Sequence, residues 1–280
     1  MGMSGLCECH GHIFMDGEDY RTAKARHEKG IDDGDIRLHL SQLRSAGVAY
    51  FRDGGDALGV SLRARELAGE YGIEYRSPAF AIHRKGRYGS IVGRAYGSYA
   101  DFEHLLEEVK AQKGDFVKLM LSGIVTFGRY GELSCPSLEK EEIETLVRLS
   151  HEAGFAVMVH VDGDEAVSAA VEAGADSIEH GYFLTEKTVD AMAEGGTLWV
   201  PTLSAVAAFV GRAGYDDTVA AETLRVQQQR VRYALKRGAL VCSGSDSGAW
   251  GVPHGRGIQR ELALLGDGCE KGNRSLRERF

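Results

Sequence analysis

Six side chains that could bind a metal ion stand at or near the ends of short apolar runs. They are His10, His12, Lys118, His160, His180 and Asp246. Imidazole and carboxylate groups are the ligands of hydrolytic zinc sites, so this set could hold divalent ions and activate water. Each residue alone is more often a hydrogen-bonding residue of a loop. Their joint occurrence on five different runs predicts a metal site.

Lys118 is unusual because it lies inside the apolar run DFVKLML (115–121). A lysine in such a run can extend its flexible side chain so that the ammonium group reaches solvent. If the group stays buried without a partner, its desolvation is costly. We expect carbon dioxide to carboxylate Lys118, because the resulting carbamate is an anion that can bridge two metal ions.

The elements that would position these residues are apolar runs that alternate with amphipathic helical segments. The predicted strands are 6–10, 48–53, 73–82, 115–121, 154–160, 175–180, 197–202 and 239–246. Eight strand–helix units predict an α/β fold, a (β/α)8 TIM barrel, since such barrels usually have about 250 residues. An open doubly wound sheet is the alternative, but no Gly-rich phosphate loop follows the first strand.

The chain is predicted to form a single barrel domain over residues 1–280, with a polar C-terminal tail at about 267–280 that is expected to fray. Side chains two residues apart share one face of a strand, so His10 and His12 lie together. Cys7 and Cys9 then face the other way and are expected to be buried core thiols. The active site of a barrel lies at the carboxyl ends of its strands, where the six residues would meet.

Composition narrows the classes of function and partner. The net charge is −8 and no block of Lys or Arg occurs, so neither nucleic acid nor an anionic membrane is an expected partner. No signal peptide or membrane span is recognisable. Five cysteines without paired spacing do not suggest a disulfide framework. A small-molecule substrate and a reducing, cytoplasmic location are therefore expected.

The ligand pattern resembles that of the amidohydrolase superfamily. The similarity is closest to the binuclear-metal branch that holds imidazolonepropionase-like hydrolases and carboxylated-lysine Xaa-Pro dipeptidases. The motifs that carry it are FRDGGD (51–56), VKLMLSG (117–123), VMVHVDG (157–163), SIEHG (177–181) and GSDSG (244–248) followed by PHG (253–255). It covers nearly the whole chain.

The resemblance implies a site with two divalent metal ions. His10, His12 and Asp246 would bind one ion, and His160 and His180 would bind the other. Carboxylated Lys118 would bridge them. Zinc is the expected metal, although Mn, Fe or Co suit the same ligands. A metal-bridging hydroxide would attack a peptide or cyclic amide bond of a small molecule. Asp246 would serve as proton shuttle and, with His180, as a catalytic residue.

Three departures from the family pattern affect what can be carried over. The β-sandwich usual in the family is not expected, and barrel surface left uncovered would favour a homo-oligomer. The fifth-strand motif has Asp162, which either contacts His160 or substrate or serves the following turn. The loop after the third strand (83–101) lacks the family's Gly- and His-rich sequence.

Five residues are candidates for substrate binding. They are His83, Arg84, Tyr88, Asp162 and His254. The first three belong to the basic loop after the third strand, which could recognise an anionic substrate group or be merely a solvated loop. His254 follows the eighth strand. Arg52 is expected to pair with its neighbour Asp53.

Other functions remain open at this stage. A mononuclear deaminase of the same superfamily would carry a Glu three residues after His160, where this chain has Gly163. A phosphotriesterase-like lactonase shares the bridging lysine. A non-catalytic scaffold barrel is a third alternative, although all six ligand positions are retained.

Overall fold

The computed structural model describes residues 5–280, and these contain ten β-strands. The strands are β1 (Leu6–Gly11), β2 (Val48–Asp53), β3 (Glu74–Arg76), β4 (Ala81–Arg84), β5 (Gly93–Tyr96), β6 (Val117–Met120), β7 (Val157–Val161), β8 (Ser177–His180), β9 (Leu198–Val200) and β10 (Leu240–Val241). All of their pairings are parallel. The strand orders are β1-β2-β3 and β10-β9-β8-β7-β6-β4-β5.

Backbone hydrogen bonds join the first and last strands and close the barrel. The N–H of Cys9 donates to Ser243 O (2.9 Å), and the N–H of His12 donates to Ser247 O (2.7 Å). The N–H of Asp246 donates to His10 O (2.9 Å). The predicted (β/α)8 barrel is therefore confirmed, and residues 5–280 contain no β-sandwich.

The predicted third strand (73–82) is interrupted, and its two parts are β3 and β4. Pro78 lies between them and has no N–H to donate to a neighbouring strand. Ala79 then has a left-handed backbone (φ 67°), which an extended strand cannot contain. β5, which we did not predict, pairs with β4 and extends the sheet beyond the barrel.

Eleven α-helices cover the strands of the described chain. They are α1 (Tyr20–His27), α2 (Asp33–Ser45), α3 (Val60–Ala68), α4 (Tyr99–Ala111), α5 (Lys140–Glu152), α6 (Asp164–Glu172), α7 (Glu186–Gly195), α8 (Leu203–Ala207), α9 (Asp217–Lys236), α10 (Arg256–Leu265) and α11 (Glu270–Arg279). The Asp32 and Asp216 side chains cap α2 and α9, and Ser98 begins α4 in a capping box. None of the described helices is both long and apolar enough to cross a membrane.

The C-terminal segment is folded, so the predicted fraying is wrong. α11 buries Leu276 completely, and the ring of Phe280 packs edge-on against Phe116 at 5.2 Å between centroids. Gly272 allows a close approach, since a Cβ there would lie 2.1 Å from Val241 O. The segment is polar because only one face of the helix is buried. With Cys7 and Cys9, both buried as predicted, these residues form a cluster at the amino ends of the strands.

Candidate active site

The six predicted ligand residues line one cavity of about 480 Å³ at the carboxyl ends of the strands. His10 belongs to β1 and His12 follows it, while Lys118, His160 and His180 belong to β6, β7 and β8. Asp246 follows β10. Parallel strands bring residues far apart in sequence to the same edge, and this is why the six side chains meet.

Their donor groups are close enough to share metal ions. Asp246 Oδ1 lies 3.6 Å from His10 Nε2 and 3.5 Å from His12 Nε2. The rings of His10 and His180 are 4.8 Å apart, and those of His160 and His180 are 4.6 Å apart. Ligand atoms of His10, His180 and Asp246 all lie within 4.8 Å of one another. This trio combines residues that the resemblance assigns to different ions.

Hydrogen bonds orient three of the four histidine rings toward the cavity. His10 Nδ1–H donates to Glu179 Oε2 (2.6 Å), which leaves Nε2 free beside Asp246. His180 Nδ1 contacts Thr202 Oγ1 at 2.7 Å and likewise leaves Nε2 free. His160 Nε2 faces Gly123 O at 3.3 Å, so its Nδ1 is the open nitrogen. Fixing one ring nitrogen is how proteins prepare the other for a metal.

Glu179 is held by two further buried groups. Arg52 Nη2 donates to Glu179 Oε1 (2.7 Å), and Ser177 Oγ donates to the same oxygen (2.6 Å). The expected pairing of Arg52 with Asp53 is therefore wrong. Neighbouring residues of a strand point to opposite faces, so Asp53 points away and accepts from Tyr75 OH and the Ile13 N–H instead.

Gly54 and Glu8 support the positions of His12 and Asp246. A Cβ on Gly54 would lie 2.2 Å from the ring of His12, so only glycine leaves room for that side chain. Glu8 accepts hydrogen bonds from the N–H and Oγ of Ser245, both at 2.6 Å. This contact fixes the residue that precedes Asp246.

Three residues at the cavity have left-handed backbones although none is glycine. They are His180 (φ 66°), Thr202 (φ 45°) and Asp246 (φ 62°). Such conformations cost about 1–3 kcal/mol each and persist where surrounding contacts impose them. For His180 these contacts include hydrogen bonds that its carbonyl accepts from Trp199 Nε1 (3.0 Å) and Gln227 Nε2 (2.7 Å).

Lys118 is buried, and its Nζ has no hydrogen-bond partner among the described residues. Burial is the main influence on its pKa, which is lowered to about 8. The neutral amine is the form that reacts with carbon dioxide, so burial favours carboxylation. The unpartnered amine is the observation that best fits a carbamate bridging two cations.

Burial also keeps the four histidines neutral, the form that binds metals. It lowers the pKa of His12 and of His160 to about 3, and it moves those of His10 and His180 well below their usual value. For Asp246, burial raises the pKa to about 7. Neutral imidazoles and a desolvated carboxylate are suited to divalent cations, so the donor set fits such ions.

Of the predicted substrate-binding residues, the structure brings Tyr88 and Asp162 to the cavity wall. The ring of Tyr88 lies 5.4 Å from that of His160. Asp162 Oδ1 accepts a hydrogen bond from the N–H of Tyr182 (2.8 Å), and burial raises its pKa to about 8. Its Oδ2 lies 3.9 Å from His160 Nε2, so it neighbours this ring.

The other three lie away from the cavity. His83 is covered by the loop at Gly89 and donates from Nδ1 to Arg84 O (3.0 Å). Arg84 forms an ion pair with Glu142 of α5 (2.7 Å), on the outside of the barrel. His254 Nε2 donates to Met15 O (2.8 Å), and its ring lies tilted against that of His39 with 4.4 Å between the centroids. The partners of Arg84 and His254 are distant in sequence, so the sequence around these two residues does not reveal them.

Sequence reasoning missed two groups of residues. One is Glu179, although a buried charge in an apolar strand was the signal that identified Lys118. The other is a set of aromatic residues with one arginine at the mouth of the cavity. They are Phe127, Phe209, Arg212, Tyr215 and Trp250. The aromatic residues clustered after the fourth, seventh and eighth predicted strands were the available signal.

The family model described as "Amidohydrolase family" matches residues 3–270. A barrel with four histidines, an aspartate and a buried lysine at its carboxyl end agrees with this match. The chain belongs to the amidohydrolase family.

Two other proteins are similar to this chain in sequence. An uncharacterized protein of Mycobacterium tuberculosis is 34% identical over 163 residues, which is 56% of this chain and 43% of the relative. The ochratoxinase of Aspergillus niger is 26% identical over 295 residues, or 89% of this chain and 58% of the relative. The chain thus spans about half the length of the curated relatives that it matches.

Solved structures share the fold. A Xaa-Pro dipeptidase with bound methionine in the active site superimposes with a TM-score of 0.73 at 21% identity, covering 98% of this chain and 73% of the dipeptidase. The A. niger ochratoxinase structure gives a TM-score of 0.74 at 20% identity, covering 94% of this chain and 67% of the ochratoxinase.

Proposed function

We propose that this protein is a metal-dependent hydrolase that cleaves an amide bond, in a peptide or a cyclic amide, of a small molecule. The observation that carries the proposal is the convergence of four neutral histidines, Asp246 and the unpartnered amine of Lys118 in one cavity. Membership of the amidohydrolase family supports it, as do the names of two similar proteins, an ochratoxinase and a Xaa-Pro dipeptidase. A cavity of about 480 Å³ suits a small molecule.

Two divalent ions, with zinc as our first expectation, would be held by the six residues of this cavity. The ligands are His10, His12, His160, His180, Asp246 and carboxylated Lys118. Bound there, the ions would supply an acidified water and a Lewis acid for the carbonyl.

Asp246 is the proposed proton shuttle of the reaction. It would accept the proton of the attacking water and return it to the leaving nitrogen, as general base and then general acid. Its placement between His10 and His12 supports this role, because it directs the carboxylate into the cavity. The contact with Thr202 keeps the ring of His180 directed at the same space. Tyr88 and Asp162 are proposed to contact the substrate.

Metal analysis combined with a substrate screen tests the proposal. We expect about two equivalents of divalent metal in the purified protein, and hydrolysis of dipeptides or N-acyl amino acids. Growth with ¹³C-labelled bicarbonate should give a carbamate carbon signal. One equivalent without a carbamate, together with deaminase activity, would instead favour a mononuclear site on His10, His180 and Asp246. Hydrolysis of lactones alone would favour a lactonase.

Lys118→Ala is the decisive variant. It should lose the carbamate signal, about one metal equivalent and most of the activity, because the bridging anion is gone. The control is Lys110→Ala, since Lys110 is exposed on α4 and lies outside the cavity. If Lys118→Ala keeps both its metal content and its turnover, the bridging carbamate is disproved.

A further inference from the structure

The mouth of the cavity is built from aromatic rings. Ring centroids lie 4.5 Å apart for Phe127 and Phe209, 4.9 Å for Phe209 and Tyr215, and 5.1 Å for Phe209 and Trp250. The four residues come from the segments after β6, β9 and β10, so three separate loops contribute to the cluster. Tyr215 and Trp250 remain 44% and 36% exposed. Large apolar surface left open at a cavity mouth is typical of ligand recognition.

Arg212 adds one positive charge to this aromatic mouth. Its guanidinium lies over the ring of Trp250, and its carbon lies 5.3 Å from the ring centroid of Tyr215. Within residues 5–280 no carboxylate lies within 4.0 Å of it to form an ion pair. A guanidinium whose face is stacked still offers its N–H edge to a carboxylate.

A second arginine of the cavity wall has a different charge balance around it. Arg21 also lines the cavity and lies over Tyr20, but Glu18 and Asp19 stand beside it. These carboxylates offset its charge. Among the residues that line the cavity, the neighbours of Arg212 are aromatic or apolar, and the nearby Asp217 carboxylate accepts a hydrogen bond from the N–H of Gly211 instead of pairing with the guanidinium. An anion is therefore favoured on that side of the mouth.

We propose that the mouth binds a substrate portion that combines an aromatic ring with a carboxylate. The ring would stack among Phe209, Tyr215 and Trp250, and Arg212 would bind the carboxylate through its N–H edge. The inner cavity, which Val125 and Val206 line, would hold the rest of the molecule with its amide at the histidines. The substrate class is then amides of aromatic carboxylic or amino acids. This inference rests on the proposed amide hydrolysis for its catalytic part, although binding can be measured without turnover.

Trp250 makes the binding directly observable. The chain has two tryptophans, and the other, Trp199, is completely buried. The probe is N-acetyl-L-phenylalanine, titrated into the metal-free protein so that no hydrolysis occurs. Binding of the probe should quench the part of the tryptophan fluorescence that comes from Trp250. The Trp250→Phe variant should not show this quenching. Matched ligands are N-acetyl-L-phenylalanine amide, which lacks the carboxylate, and N-acetyl-L-alanine, which lacks the ring.

The expected result is at least a tenfold weaker affinity for both matched ligands. Arg212→Gln should lower the affinity for the full probe about tenfold and remove the preference for the carboxylate over the amide. Arg129→Gln is the control, because it changes the charge equally at an exposed position outside the cavity. Equal affinity for all three ligands, or an Arg212→Gln variant that binds like the parent, would overturn the inference.

Turnover separates this inference from the proposed function. In the metal-loaded protein, kcat/KM should fall in the same order for the acid, the amide and the alanine derivative, and Arg212→Gln should abolish the difference between the first two. Normal binding without hydrolysis of any amide would refute the hydrolase proposal and leave the aromatic anion site standing. Hydrolysis of all three compounds with equal kcat/KM would support the hydrolase proposal and refute the aromatic anion site.

Discussion

The two ends of the barrel are formed by the same strands, yet their interiors have opposite character. At the amino end, α11 covers an apolar cluster that includes Cys7, Cys9, Leu276 and Phe280. At the carboxyl end, the cavity holds four histidines and an unpartnered amine. Packed apolar side chains fill the amino end, whereas the carboxyl end leaves Lys118 Nζ and His12 Nδ1 buried without a hydrogen-bond partner among the described residues.

Strained backbone is present at both ends, since Ala79 and Lys113 have left-handed backbones and precede β4 and β6. The left-handed backbones of His180, Thr202 and Asp246 all lie at the carboxyl end. Arg52 and Glu179 lie between the two ends, fully buried, and connect them. The rings of Phe280 and Phe116 lie 4.4 and 5.8 Å from the Arg52 guanidinium carbon, while its Nη2 donates to Glu179. Substitutions at the three levels should therefore affect different properties.

The largest effect is expected at the carboxyl end, for Asp246→Asn. Loss of the proton-accepting carboxylate should reduce kcat by about 10²–10⁴-fold, the range of general acid–base catalysis. The fold should persist, as measured by circular dichroism and thermal unfolding. Asp190→Asn is the matched control, because Asp190 binds Tyr233 and Arg237 outside the cavity. Turnover close to the parent protein would exclude the proton-shuttle role.

Glu179→Gln tests the connection between the two ends. It leaves the Arg52 charge buried without its partner, which costs about 3–5 kcal/mol of stability. It also weakens the orientation of His10, so metal affinity should fall about 10–100-fold. Urea unfolding and competition with a chelator measure the two effects.

Glu142→Gln provides the comparison for that variant. It removes the charge of the part-buried ion pair with Arg84 but keeps a side-chain oxygen that can accept from the hydroxyl of Tyr96, so the loss of stability should be only about 0–1 kcal/mol. Metal affinity should not change. If Glu179→Gln behaves like Glu142→Gln in both assays, the positioning role of Glu179 is refuted.

The smallest functional effect is expected at the amino end, for Leu276→Ala. The truncated side chain is fully buried, so unfolding should become easier by about 2–5 kcal/mol. The activity of the folded protein should remain unchanged. Leu38→Ala on α2 is the control, since Leu38 is exposed. A stable variant that loses activity would contradict the separation of the two ends.

The alternation of strands and helices made the barrel and the position of the six candidate ligands predictable from sequence. Strand periodicity specifies which side chains share a face, and parallel strands bring their ends together. The division of the third strand was foreseeable from Pro78 but was overlooked. The folding of α11 was not, because the helix packs against three strands, β1, β9 and β10, that are far from it in sequence.

Side-chain partners were the least predictable feature. From sequence alone, Arg84 resembles a residue of a basic loop. Its partner Glu142 lies 58 positions later in the chain, so the pairing is not apparent from the sequence. His254 similarly depends on His39 and the carbonyl of Met15. Glu179 was overlooked for a different reason. Its neighbour His180 was interpreted as the functional residue of that strand.

The position of Phe280 couples the docking of the last helix to the orientation of His10. Its ring rests on Arg52, whose partner Glu179 holds His10, so undocking of α11 and loosening of the His10 ring share one arginine. Coupling between two sites is reciprocal. A ligand that binds more tightly when α11 is docked must therefore stabilise the docked helix by the same free energy. Amide hydrogen exchange in α11 should therefore slow when the opposite end of the barrel binds a ligand.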